Sequence, residues 1–203
     1  MTDAFNYPQS ATVTPSTGPT PSQTVGPFFH YALPYELGPE VVGTQRDGAC
    51  RLYGRVLDGQ GEPIPDSMVE VWQANESGHV AQEHGIYDRP EPAGFRGFGR
   101  SATDHDGAYG FRTVKPGPIT APDGTVQAPH IAMAVFARGM LRQAVTRVYF
   151  ADEATANATD PLLCGLAAPR RETMIATPDH EGYRFDVRVQ GEGETVFLDV
   201  CTE

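Results

Sequence analysis

Short stretches of alternating apolar and polar residues, each closed by glycine or proline, constrain this chain more than any other feature. A side-chain period of two fits a half-buried strand, and runs this short do not offset the cost of nucleating a helix. Cys50–Asp58 sets Leu52, Gly54 and Val56 on one face and Arg51, Tyr53 and Arg55 on the other. Met68–Ala74 sets Val69 and Val71 opposite Met68, Glu70 and Trp72. Trp72, the only tryptophan, is expected in the core. The turn Asp58-Gly59-Gln60-Gly61 between these runs predicts a hairpin or a Greek-key step. A second turn, Asp104–Gly107, leads into a strand with Tyr109, Phe111 and Thr113 on one face. His105 in that turn reads as a solvated residue. His130–Ala137 and Val145–Phe150 read as strands. Tyr183–Val189 and Thr195–Val200 read as two more, joined as a hairpin by Gly191–Glu194. Asp152–Asn157 suits a short helix, and Arg170–Ala176 fits helix or strand. With 22 glycines and 18 prolines, the pattern predicts an all-β chain, a β-sandwich with long loops and few short helices. Gly78–Phe98, broken by Gly85, Pro90, Pro92, Gly94 and Gly97, reads as a long surface loop.

The first 23 residues cannot pack a core. Pro8, Pro15, Pro19 and Pro21 favour extended backbone, so this segment is either a disordered tail or an extended N-terminal arm laid across a partner. Gln23–Phe29 then supplies apolar anchors and a tight turn. The division expected is an arm over 1–23 and a single domain over 24–203. A net charge of -11 argues against nucleic acid or an anionic membrane as partner. No apolar run approaches the ~20 residues of a membrane span, and the polar start shows no signal peptide. Cys50, Cys164 and Cys201 are odd in number, which predicts buried free thiols in a cytoplasmic protein.

No His-x-His, HExxH, CxxC, GxSxG, P-loop or dinucleotide fingerprint occurs. The stretch Pro116–Arg138 runs from a turn-rich loop into a strand, a place where a demanding site would sit. Its lone His130, after a proline, reads first as a packed, hydrogen-bonded core residue. Taken alone, the residues form no complete catalytic set.

Several blocks resemble the intradiol ring-cleavage dioxygenases. They are Leu52–Asp58, Val69–Asn75, Gly99–Asp104, Phe111–Gly117 and Ala128-Pro129-His130-Ile131, in that family's order. Thr20–Thr24, Phe136–Gly139, Arg170–Thr173 and Gln190–Phe197 resemble more narrowly the α chains of its two-chain members. The resemblance implies a β-sandwich of the intradiol type. In the family's catalytic chain, two tyrosines and two histidines hold Fe(III), whose hardness suits phenolate oxygens. The aromatic diol chelates the metal and reacts with O2, with an arginine stabilising the developing charge.

Position by position, the resemblance implies a site stripped of donors. Tyr87 stands for the first tyrosine and His130 for the first histidine, but Ile119 replaces the second tyrosine and Ala132 the second histidine. Gln127 replaces the arginine. The expectation is that this chain binds no metal and that Fe(III) belongs to a homologous β chain in an (αβ)n assembly. Thr24, Gly26, Pro27 and Arg138 match the α-chain segments that border the β chain's cavity for protocatechuate. Two rivals remain: a self-sufficient dioxygenase using Tyr87, His84 and His130, and a non-catalytic β-sandwich binding or scaffold module.

Overall fold

The computed structural model describes residues 23–26, 28–80 and 92–199, so all of the expected arm over 1–23 except Gln23, together with Pro27, His84, Tyr87 and Cys201, lies outside the described residues. Among the described residues, a single helical turn, α1 (Phe29–Ala32), precedes eleven strands. These are β1 (Ala49–Leu57), β2 (Ser67–Gln73), β3 (Phe98–Ala102), β4 (Ala108–Val114), β5 (Ile119–Thr120), β6 (Val126–Gln127), β7 (His130–Ala137), β8 (Ala144–Phe150), β9 (Ile175–Pro178), β10 (Tyr183–Arg184) and β11 (Val187–Arg188). Three short helices, α2 (Ala154–Asn157), α3 (Pro161–Cys164) and α4 (Ala168–Glu172), fill the connection from β8 to β9.

Two layers face each other. One is β3-β2-β7-β8, all antiparallel; the other is built on β1, which pairs with antiparallel β4 on one side and parallel β10 and β11 on the other. Strand β9 pairs with both β8 and β10, so the layers join into one nearly closed sheet with β3 and β4 at its ends. The core between the layers takes Leu52, Val56 and Phe111 from one side and Val69, Val71, Ile131, Met133, Val135, Val148 and Phe150 from the other, all at most 2% exposed. Each such side chain contributes roughly 1.5–3 kcal/mol on burial. The alternation in the sequence supplies these residues, because one face of every long strand is apolar.

The sheet's two open ends lie side by side. The segment Gly38–Val41 crosses both: Arg100 N donates to Gly38 O, while Arg112 N donates to Pro39 O and Val41 N to Arg112 O. A partly buried ion pair, Arg100 to Glu70 at 2.6 Å, backs this seam, and Arg100 Nη1 also donates to Leu33 O.

The structure corrects several expectations. The Asp58–Gly61 turn does not join a hairpin, since β1 and β2 lie in opposite layers. Trp72 is 49% exposed, because its β2 register sends it outward with Glu70, opposite buried Val69 and Val71. Tyr183–Val189 is two short strands rather than one. At Gly54 a Cβ would meet Phe185 O at 1.8 Å, so the backbones touch there and the regular ladder is interrupted. Phe185 N still donates to Tyr53 O, and Asp186 Oδ1 accepts Arg55 N. Residues 195–199 form no strand; Thr195 N donates to Arg188 O, but the hairpin ladder stops there. Arg170–Ala176 contributes to both α4 and β9. Cys164 is exposed and Cys50 half-buried, against the expectation of buried thiols.

Candidate functional site

Strand β7 carries the candidate positions at its two ends. Ile131, Met133, Val135 and Ala137 point into the core, which leaves His130, Ala132, Ala134 and Phe136 on the outer face.

At the His130 end, the chain is drawn in by glycine. A Cβ on Gly78 would lie 2.1 Å from Pro118 O, and one on Gly117 would lie 2.4 Å from Glu76 O, so only glycines allow these two loops to meet. The β5–β6 hairpin follows and sets Ile119 directly opposite Gln127. Ala132 lies between Trp72 and Arg147 across the sheet. His130 is 6% exposed, and its Nδ1 lies 2.8 Å from Ala128 O, so the proton belongs on Nδ1. Its ring packs on Tyr149, centroids 5.5 Å apart. Burial holds the imidazole pKa below its ordinary 6.5, with the Ala128 carbonyl opposing the shift.

Beneath His130 is a side chain that the sequence reading missed. Asp160 is fully buried and accepts four hydrogen bonds: from Ala128 N at 2.9 Å, Leu162 N at 3.0 Å, Leu163 N at 3.1 Å and Tyr149 Oη at 3.0 Å. It caps α3 and fixes the approach to His130 together. The signal was present, since Asp160-Pro161 before an apolar pair is an N-cap with proline in the first helical position. Burial pushes the Tyr149 phenol up to about 12, so its hydroxyl stays a donor. This network also supports the first reading of His130 as a packed, hydrogen-bonded residue.

These residues do not fit a ferric ion. Ile119 and Ala132 have no donor atom, and His130 offers one free nitrogen. Among the described residues, the one group of three potential metal-ligating side chains is Asp104, His105 and Asp106 in an exposed turn. There Asp104 already accepts Asp106 N and Ala108 N. His105 is exposed beside Asp106, as expected of a solvated turn residue. Tyr87 and His84 lie outside the described residues.

At the other end of β7, the chain turns sharply, and Gly139 N donates to Thr24 Oγ1 at 3.1 Å. Thr24 and Arg138, 114 positions apart in the sequence, thereby sit at one place. Gly26 takes φ 73°, a conformation open to glycine at little cost. Val25 and Gln23 lie over Phe136, Met140 and Leu141, around a cleft of about 150 Å³. The Arg138 side chain is 67% exposed, and its Nε lies 3.2 Å from Asp66 Oδ2. A wider groove of about 730 Å³ runs along the seam between β3 and β4, beside Cys50, Arg51 and Arg112, and holds none of the expected site residues.

Comparison with known proteins agrees with this architecture. The Dioxygenase family profile matches residues 40–191. The structure of hydroxyquinol 1,2-dioxygenase from Pseudomonas putida DLL-E4 superimposes with a TM-score of 0.57 over 86% of this chain and 67% of that one, at 21% identity, which shows a shared fold. The chain belongs to the intradiol ring-cleavage dioxygenases, a family of non-haem iron enzymes. Within that family it is similar over nearly its whole length to two α chains of protocatechuate 3,4-dioxygenase. Identity is 43% to that of Burkholderia cepacia (89% of this chain, 97% of the relative) and 40% to that of Pseudomonas putida (89% and 96%). The Burkholderia cepacia β chain is 33% identical, over 70% of this chain and 64% of its own length. Among the described residues, no helix is long and apolar enough to cross a membrane.

Proposed function

We propose that this chain is the α subunit of an αβ protocatechuate 3,4-dioxygenase, which opens 3,4-dihydroxybenzoate with O2 to 3-carboxy-cis,cis-muconate. The observation that carries the reading is the match to α chains along nearly their full length. The donor-free side chains of Ile119 and Ala132 support placing Fe(III) in the homologous β chain, with this chain supplying wall and assembly surface.

Thr24, Gly26, Pro27 and Arg138 are proposed to border the partner's substrate cavity. Two features support this. The Thr24–Gly139 hydrogen bond holds the entering segment beside Arg138. A guanidinium offers paired N–H bonds to the carboxylate that separates protocatechuate from catechol. A Gly-Pro backbone can also approach a flat ring closely.

The test is to express the chain alone and with an iron-bearing homologue. A stable complex that turns over protocatechuate, with iron present only when the partner is present, is expected. Stoichiometric iron and ring opening by the isolated chain would overturn the assignment. Failure to form any complex would favour a scaffold module instead.

A further inference from the structure

Ser67 and Ala137 are the last register partners of β2 and β7. One step further, antiparallel geometry sets Asp66 directly across from Arg138, and Asp66 Oδ2 lies 3.2 Å from Arg138 Nε. The chain turns beyond this pair: Met140 N donates to Ala137 O at 3.1 Å, with Arg138 and Gly139 in the central positions and Gly139 at φ 90°. With Thr24 holding Gly139 as well, the backbone at Arg138 is fixed from two sides.

Fixing the backbone does not fix the side chain. A free arginine carries substantial rotamer entropy, which a ligand must otherwise overcome on binding. Among the described residues, Asp66 is the acid that meets this guanidinium, and it is itself mostly covered at 20% exposure. Its nearest approach is to Nε, so the Nη1–Nη2 edge, the pair that can grip a carboxylate through two parallel bonds, lies on the far side.

We infer that Asp66 is a positioning residue for Arg138: it orients the guanidinium so that its outer edge meets the substrate carboxylate, and so sets the preference for carboxylated over plain catechols. This rests on the substrate-facing reading of Arg138 above. The opposing effect is repulsion between Asp66 and the same carboxylate. The guanidinium lies between the two acids and so is nearer to each than they are to one another, which leaves attraction the larger effect. A surface ion pair of this exposure adds little to stability, so its role shows in substrate selection.

The test uses the assembled αβ enzyme with protocatechuate and with catechol. Asp66→Ala is expected to raise KM for protocatechuate about fivefold, part of the rotamer freedom returned to the guanidinium. Both kcat and the KM for catechol are expected to stay unchanged. Asp66→Glu should restore much of the loss, and Asp66→Ala combined with Arg138→Ala should be no worse than Arg138→Ala alone. An unchanged or lowered KM in Asp66→Ala, while Arg138→Ala raises it, overturns the inference and leaves the reading of Arg138 standing. A rise shared equally by catechol marks general damage and also overturns it. No effect from Arg138→Ala removes the reading of Arg138 and the inference together.

Discussion

The two ends of strand β7 share one backbone and differ in almost everything else. The His130 end is sealed: an imidazole without solvent, a phenol kept protonated, and a buried carboxylate whose four bonds are all internal. The Arg138 end is open, with an exposed cation, one ion pair and a segment tied on by a single threonine hydroxyl. The contrast teaches that polar groups bonded to one another in the interior are used up by the fold, whereas an exposed cation keeps a face available for a ligand. The sealed end is committed to the fold, and the open end is where the proposed substrate contact lies.

The sharpest way to break this contrast is to attack the sealed end. Asp160→Ala should destabilise the chain by about 3 kcal/mol or more, since it strips a helix cap and leaves buried Ala128 N and Tyr149 Oη without an acceptor. Chemical denaturation would measure this, and a loss within 0.5 kcal/mol would show that the network carries little stability. At the open end, Arg138→Ala should do the reverse. KM for protocatechuate should rise about tenfold in the assembled enzyme, with iron content and thermal midpoint unchanged. Tyr149→Phe is expected to cost about 1 kcal/mol, because Asp160 keeps three of its four donors.

The pH response sharpens the comparison further. His130 has its pKa lowered in the folded chain, so the unfolded chain takes up the proton first as pH falls below 6.5. The stability owed to the neutral ring is therefore present above that value and lost on acidification. His130→Gln should flatten this part of the pH–stability curve, and an unchanged curve would assign the effect elsewhere. The smallest effect concerns the thiols. Burial pushes Cys50 up to about 11, so a neutral-pH alkylating reagent should label exposed Cys164 before Cys50, as peptide mapping would show.

Particular residues show how far the sequence could be read. The strands β1, β2, β4, β7 and β8 were legible because each buries one face, and alternation records that directly. The outward face of Trp72 was not legible. Its register puts it opposite Val69 and Val71, but alternation alone does not say which face of β2 meets the core. The broken strand at Phe185 was hidden too, since parallel pairing to β1 and the close approach at Gly54 depend on a distant part of the chain. At the site, Ile119 and Ala132 could be read as missing donors only through resemblance. Asp160 was available from local chemistry and was overlooked. The meeting of Thr24 with Gly139 links positions 115 apart and could be seen only in three dimensions.

The crossing segment Gly38–Val41 also bears on how the isolated chain avoids aggregation. Strands β3 and β4 end the sheet with backbone groups facing outward, the kind of border onto which stray polypeptides add themselves. By hydrogen bonding to both borders at once, and by placing Pro39 between them, this short bolt denies newcomers a template. A lone copy is thereby guarded against polymerising with its own kind.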